Sequence, residues 1–198
     1  MSFDRLLLPY MVLFTTVAVL WRIYRVWRIS GVNALTSAPS EGMPHLISRY
    51  FRVTFGLFNA ITILPFLPQS IQQQFAPFTS LEHSIAETAG WVILLVAFIP
   101  VVVAQVQMGE AWRIAVDPSQ QSKLVTHGIF RWSRNPIFVG IRAIYFGIFL
   151  IIPNGVTLLL WILGDLVIQL QVQLEESYLI DTFGDEYVAY MRSVRRWV

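Results

Sequence analysis

The sequence predicts an all-α integral membrane protein with about five transmembrane helices and a C-terminal amphipathic cytoplasmic helix. Three observations predict it. Hydrophobic residues fill 56% of the 198 positions and charged ones only 13%. The mean hydropathy of +0.60 exceeds what a soluble domain of this size hides, because its surface must be dressed in charge. Apolar stretches recur at close to spanning length, and the basic residues sit beside them, as lipid headgroups favour.

A spanning helix needs roughly 17 to 25 mostly apolar residues, each adding about 1.5 Å against a hydrocarbon core of about 30 Å. Five stretches qualify, two of them marginally. The first covers about residues 6–21 and continues into the aromatic and basic flank WRIYRVWR. Its positive residues follow the apolar run and no small-residue cleavage site is evident, so it is expected to be retained instead of removed as a secretory signal. The second covers about residues 51–67 and the third about 85–108. The fourth and fifth, about 136–152 and 155–172, are joined only by Pro153 and Asn154, so they form a helical hairpin. Residues 30–44, rich in Gly, Pro and Ser, read as an irregular connection. After the fifth stretch, LEESYLIDTFGDEYVAYMRSVRRW reads as a helix with one buried face, broken or capped near Gly184. With no internal repeat, the chain is a single membrane domain: three N-terminal helices over 1–108 and a functional core over 109–198.

Basic residues alternate from one connection to the next. Arg22, Arg25, Arg28, Arg49 and Arg52 surround the first and none lies between Gln69 and Ser84. Arg113, Lys123, Arg131 and Arg134 follow in the third, none in the tight turn, and Arg192, Arg195 and Arg196 at the end. The positive-inside rule then places the N-terminus outside and the C-terminus in the cytoplasm.

Several chemistries are excluded. There is no cysteine, hence no disulfide, thiolate metal site or cysteine nucleophile. His45, His83 and His127 lie far apart, so no metal site is expected. A net charge of +2 is too small for a nucleic-acid partner. The polar density lies on the cytoplasmic side. Pro136 suits the first turn of a helix and Asn135 its N-cap. Free N–H groups there, flanked by Arg131 and Arg134, make a seat for a carboxylate or phosphate; alternatively the helix is simply capped and its arginines contact lipid phosphates. Glu175 and Glu176 either face water or face a cationic group beside that helix start. In the second case a zwitterion with an extra positive centre fits, with Phe130, Trp132 and Phe138 available to cover the cation. Deeper in the membrane, Arg142 and Asp165 lie at similar depths and either pair across the hairpin or, for Arg142, snorkel to the headgroups.

The segment KLVTHGIFRWSRNPIFVG resembles the pattern LVxxGxYRxxR[HN]PxYxG, and LEESYLIDTFGDEYVAYMRSVRRW resembles EExxLxxxFGxEYxxYxxxVxR. Together, over about residues 109–197, they resemble the isoprenylcysteine carboxyl methyltransferase and phospholipid methyltransferase superfamily of integral membrane enzymes. The resemblance implies S-adenosylmethionine as cofactor, contacted by Lys123, Leu124, Val125, Phe130, Asn135, Pro136, Ile137, Phe138 and Glu175, and a lipophilic or membrane-delivered acceptor such as an isoprenylcysteine carboxylate or a lipid headgroup. Phe130 and Phe138 stand where the family usually has Tyr, Asn135 where a His is common, and Gln171 where an Arg accompanies the prenylcysteine carboxylate. Gln171 and Arg142 are the residues available to orient the acceptor's polar end. No catalytic base is nominated, since His127 reads equally as a solvated loop residue. The competing readings are a sterol-reductase-like enzyme using NADPH, a small-thiol methyltransferase on the same scaffold, and a non-catalytic membrane scaffold.

Overall fold

A computed structural model describes residues 3–30, 42–109 and 124–198. Most of the irregular 30–44 connection, and Arg113 and Lys123 of the later one, lie outside the described residues. Helix α1 (Leu7–Thr15) passes through a π-helical stretch, Thr16–Leu20, into α2 (Trp21–Ser30). Then come α3 (Met43–Ile61), the short α4 (Gln69–Gln72), α5 (Ser84–Met108), α6 (Pro136–Ile151), α7 (Gly155–Phe183) and α8 (Asp185–Ser193). Three helical stretches, Asp4–Arg25, Ser84–Met108 and Gly155–Phe183, are long and apolar enough to cross a membrane, and Pro136–Ile151 is apolar but shorter. The expected second stretch is displaced: α3 starts at Met43 and takes in Arg49 and Arg52, then ends at Ile61, where the Leu64–Phe66 turn begins the connection to α4.

Antiparallel packing of α5 and α6 is the closest helix contact of the bundle, and three glycines allow it. A Cβ on Gly140 would meet the Ala97 carbonyl at 2.8 Å, one on Gly147 the Gly90 carbonyl at 3.0 Å, and one on Gly90 the Gly147 carbonyl at 2.8 Å. In lipid there is no water to expel between helices, so close backbone approach at small residues supplies the attraction. On the other side of α6, Tyr145 lies over Gly164 of α7 and stacks on Phe58 of α3 at a centroid distance of 3.6 Å. Leu7, Met11, Phe14, Leu94, Ile144, Ile148, Ile168 and Val172 complete this buried core.

Polar groups tie the first helix to α5. Tyr10 donates to the Leu94 carbonyl (2.7 Å), and Gln105 Nε2 donates to the Ala18 carbonyl within the π-helical stretch (2.8 Å). Buried Arg22 donates to the carbonyls of Gln105 and Gly109, both at 2.7 Å. A cation at the C-terminus of α5 satisfies orphan carbonyls and complements the negative end of the helix dipole.

The Pro153–Asn154 reversal forms as the sequence requires. Asn154 Oδ1 accepts from the N–H groups of Val156 and Thr157, while Thr157 Oγ1 accepts from Asn154 N–H, a reciprocal capping box. Phe3 N–H binds Glu87 at the start of α5 (2.6 Å), and Arg195 reaches the start of α6, so the two termini lie at opposite ends of the bundle. Helix α7, the expected fifth stretch, runs on to Phe183, beyond its apolar part, and breaks at Gly184 (φ +53°) before α8.

Replacing Gly90 by Ala is expected to lower stability by about 1–3 kcal/mol through overpacking against backbone. Gly56→Ala, whose Cβ meets nothing within 4 Å, should be neutral or stabilising by up to about 1 kcal/mol through helix propensity. Thermal unfolding of both variants in mild detergent checks the pair, and equal melting points would refute the close approach.

Candidate functional site at the start of helix α6

Pro136 occupies the first helical position of α6 and Asn135 the N-cap, which is where Pro removes no needed donor. The Asn135 side chain does not cap the helix. Its amide instead donates to Glu176 Oε1 (3.4 Å) and to the Arg196 carbonyl (3.2 Å). The N–H groups of Ile137 and Phe138 are therefore left without a side-chain cap, at the positive end of the α6 dipole.

Glu176, only 4% exposed, organises this end of the bundle. Arg134 holds Oε1 from Nε (3.2 Å) and NH2 (3.0 Å), and Arg196 holds Oε2 at 2.6 Å. Arg134 also donates to the carbonyls of Met191 (3.0 Å) and Val194 (2.7 Å), and its own N–H to that of Arg195 (3.0 Å). One carboxylate thus locks α7, the approach to α6 and the C-terminal strap 194–198 together. A buried charge is tolerable only when paired and hydrogen-bonded in this way. The Arg134 guanidinium is therefore a structural clamp and not a free flank of an anion seat; Arg131 is exposed.

The turn Gly128–Arg131 is docked on α5. Gln107 Oε1 accepts from Ile129 N–H at 2.8 Å. Gly128 takes φ +62°, a conformation that favours glycine, and a Cβ there would fall 2.2 Å from that oxygen and displace the Gln107 side chain from the turn. Tyr190 donates to the Phe130 carbonyl at 2.6 Å. Burial pushes its phenol up to about 12, against an opposing pull from Arg134, so it remains a donor at neutral pH.

The structure brings most of the sequence-derived site residues to this end. Asn135, Pro136, Ile137 and Phe138 form the first turn of α6, and Phe138 meets Phe51 of α3 edge to face. Phe130 is buried beneath Tyr190, and Leu124 and Val125 are half-buried on the approach. Asn135 contacts Glu176, and Arg142 forms an ion pair with Asp165; between these two crossings, Gln171 lies opposite the first turn of α6. Glu175 follows one turn later on the same face of α7. The Gln171 Oε1 is buried with no hydrogen-bond partner, and Glu175 makes no hydrogen bond among the described residues. Arg142 lies outside the cluster, six residues or about 9 Å along α6. Trp132, 76% exposed, points away from it, and His127 is exposed. Sequence reasoning missed the hub role of Glu176; its signal was an acidic pair followed twenty residues later by adjacent arginines.

A helical membrane bundle with a polar seat at one helix start is the class that this geometry defines. The chain belongs to the phospholipid methyltransferase family, whose pattern matches residues 85–186, more than half of its length. It is similar to the protein-S-isoprenylcysteine O-methyltransferase of Schizosaccharomyces pombe, 33% identical over 95 residues, covering 46% of this chain and 40% of that one. It is also similar to the Tribolium castaneum protein of the same name, 29% identical over 82 residues, covering 41% of this chain and 29% of the other. The matched stretch therefore spans less than half of these curated relatives.

Glu176→Leu is expected to cost about 3–5 kcal/mol, because the buried Arg134 guanidinium loses its counter-charge and the partly exposed Arg196 loses its partner, and Arg134→Leu should cost a similar amount. The double replacement should cost clearly less than the sum. Chemical denaturation in mild detergent followed by far-UV circular dichroism reads the cycle, and strict additivity would show that the two residues act independently.

Proposed function

We propose that the chain is an S-adenosylmethionine-dependent methyltransferase acting on a lipophilic, membrane-delivered acceptor, an isoprenylcysteine carboxylate or a lipid headgroup. One observation carries this reading: at the end of the bundle where α6 starts without a side-chain cap, α7 carries two unengaged acceptors, the partnerless Gln171 Oε1 and the Glu175 carboxylate. The cofactor is zwitterionic with an additional cationic sulfur, and these residues fit that charge pattern. The Ile137 and Phe138 N–H groups suit its carboxylate, as helix N-termini suit anions generally. Glu175 and Gln171 suit its positive groups, while Leu124, Val125, Phe130 and Phe138 supply apolar cover, with Lys123 as a further contact.

When bound, the cofactor supplies an electrophilic methyl group. What the protein contributes is alignment of the acceptor and exclusion of water, since an in-line displacement is accelerated chiefly by positioning. A carboxylate acceptor needs no general base. The relatives' names support the isoprenylcysteine carboxylate as one acceptor class; the family's description supports the phospholipid headgroup as the other. The basic residues gathered at the end that holds the site support five passes with that end in the cytoplasm and the N-terminus outside.

Glu175→Gln and Gln171→Leu should each weaken S-adenosylhomocysteine binding by about ten-fold, the loss of roughly one hydrogen bond to a charged group. Isothermal titration against this ligand and against NADPH tests it. Unchanged affinity in both variants removes the seat, and binding of NADPH alone replaces the reading with a membrane oxidoreductase. A radiolabelled methyl-transfer assay against fractionated lipids and prenylcysteine analogues then identifies the acceptor. A tag at the N-terminus should be reached from outside and one after Val198 only from the cytoplasm; both on one side would exclude an odd number of passes.

A further inference from the structure

We infer that the outer seam between α6 and α7 is a seat for a lipid with an anionic headgroup, whose charged oxygens rest on Arg142 and whose chain lies along an aromatic lane. The seam is separate from the cofactor cluster and does not depend on the methyl-transfer reading.

Arg142 is an arginine in an apolar helix with only part of its bonding capacity used. Its Nε binds Asp165, and its guanidinium lies over the indole of Trp197 with 4.4 Å from Cζ to the ring centroid. Its two terminal nitrogens make no hydrogen bond among the described residues. The side chains of Arg142 and Asp165 are 31% and 25% exposed, so this unused edge faces outward from the bundle. The second oxygen of Asp165 accepts from Gln169 at 2.5 Å. Two donors therefore share the Asp165 charge, and the guanidinium is not quenched by a bidentate partner. Unsatisfied donors next to hydrocarbon are costly, so an acceptor arriving there is strongly favoured over lipid tails. Carboxylate and phosphate oxygens match the planar fork.

Trp197 is placed by the same strap that closes over the start of α6: the Arg195 and Arg196 carbonyls accept from Arg134 N–H and from the side chains of Ser133 and Asn135. Stacking on the indole holds the guanidinium flat with its free edge outward. One helical turn beyond, Phe146 on α6 and Trp161 on α7 meet at 4.7 Å between ring centroids, and Phe149 extends the row with 5.8 Å to Trp161. Phe146 and Trp161 are half-exposed. A cation near the interface followed by an apolar lane toward the far end of the bundle complements an amphiphile with an acidic head.

The test uses the full chain in mild detergent and mass spectrometry of the intact protein with four single-chain probes: oleate, oleoyl lysophosphatidate, monoolein and oleylamine. The acidic probes are expected to bind about ten-fold more tightly than monoolein, and oleylamine no better than monoolein. If both acidic probes bind, the seat reads negative oxygen generally; a preference for one names carboxylate or phosphate as the headgroup. The double variant Arg142→Gln/Asp165→Asn, which strands no charge, should reduce the acidic probes to the level of monoolein. Trp197→Leu, which leaves the ion pair intact, should weaken them several-fold. Monoolein binding as tightly as oleate, or an acidic preference that survives the double variant, overturns the seat.

Discussion

A buried Glu176 carboxylate is the interaction on which the rest of this structure depends. It sits on α7, but what it fixes is elsewhere: through Arg134 and Asn135 it sets the entry of α6, and through Arg196 it holds the C-terminal strap. Removing the Arg134 guanidinium and the Glu176 carboxylate from water costs several kcal/mol per ion, and only close, multiply bonded pairing offsets it. That same pairing is directional. It leaves Asn135 turned away from the helix it precedes, and so leaves the first N–H groups of α6 without a side-chain cap.

The tightness of the α5–α6 contact has a related consequence. Because Gly90, Gly140 and Gly147 let the two backbones meet, α6 is registered against α5 from end to end. Gln107 on the last turn of α5 then docks the Gly128–Arg131 turn directly before the site. The opposite face of α6 is registered against α7 by the Asn154 capping box at one end and by Asn135 with Glu176 at the other. The candidate site is thus positioned by two helix contacts, one on each face of α6.

The strap joins the start of α6 to the outer seam between α6 and α7. Its backbone carbonyls are used by residues at the start of α6, while its indole covers Arg142 two turns further along.

Hydropathy and charge placement by themselves determined the membrane class, the hairpin over Pro153 and Asn154, the helix start at Pro136 and the break at Gly184. Each depends on local covalent and solvation properties: apolar length, a missing N–H, a cap, or a residue tolerant of positive φ. The motif resemblance, over about residues 109–197, overlaps the family pattern's match to 85–186, which begins earlier, in α5. Tertiary structure decided the division of labour among like residues. Nothing local distinguishes Glu175 from Glu176, yet one helical step of about 100° turns the second into the arginine cluster and leaves the first without a hydrogen bond. Nor does local sequence reveal that Arg134 is consumed as a clamp, that Asn135 abandons its capping role, or that Trp197 crosses to Arg142. These are contacts between residues twenty to sixty positions apart, and they exist only because the glycine-mediated packing and the capped reversal bring those segments to one end of the bundle.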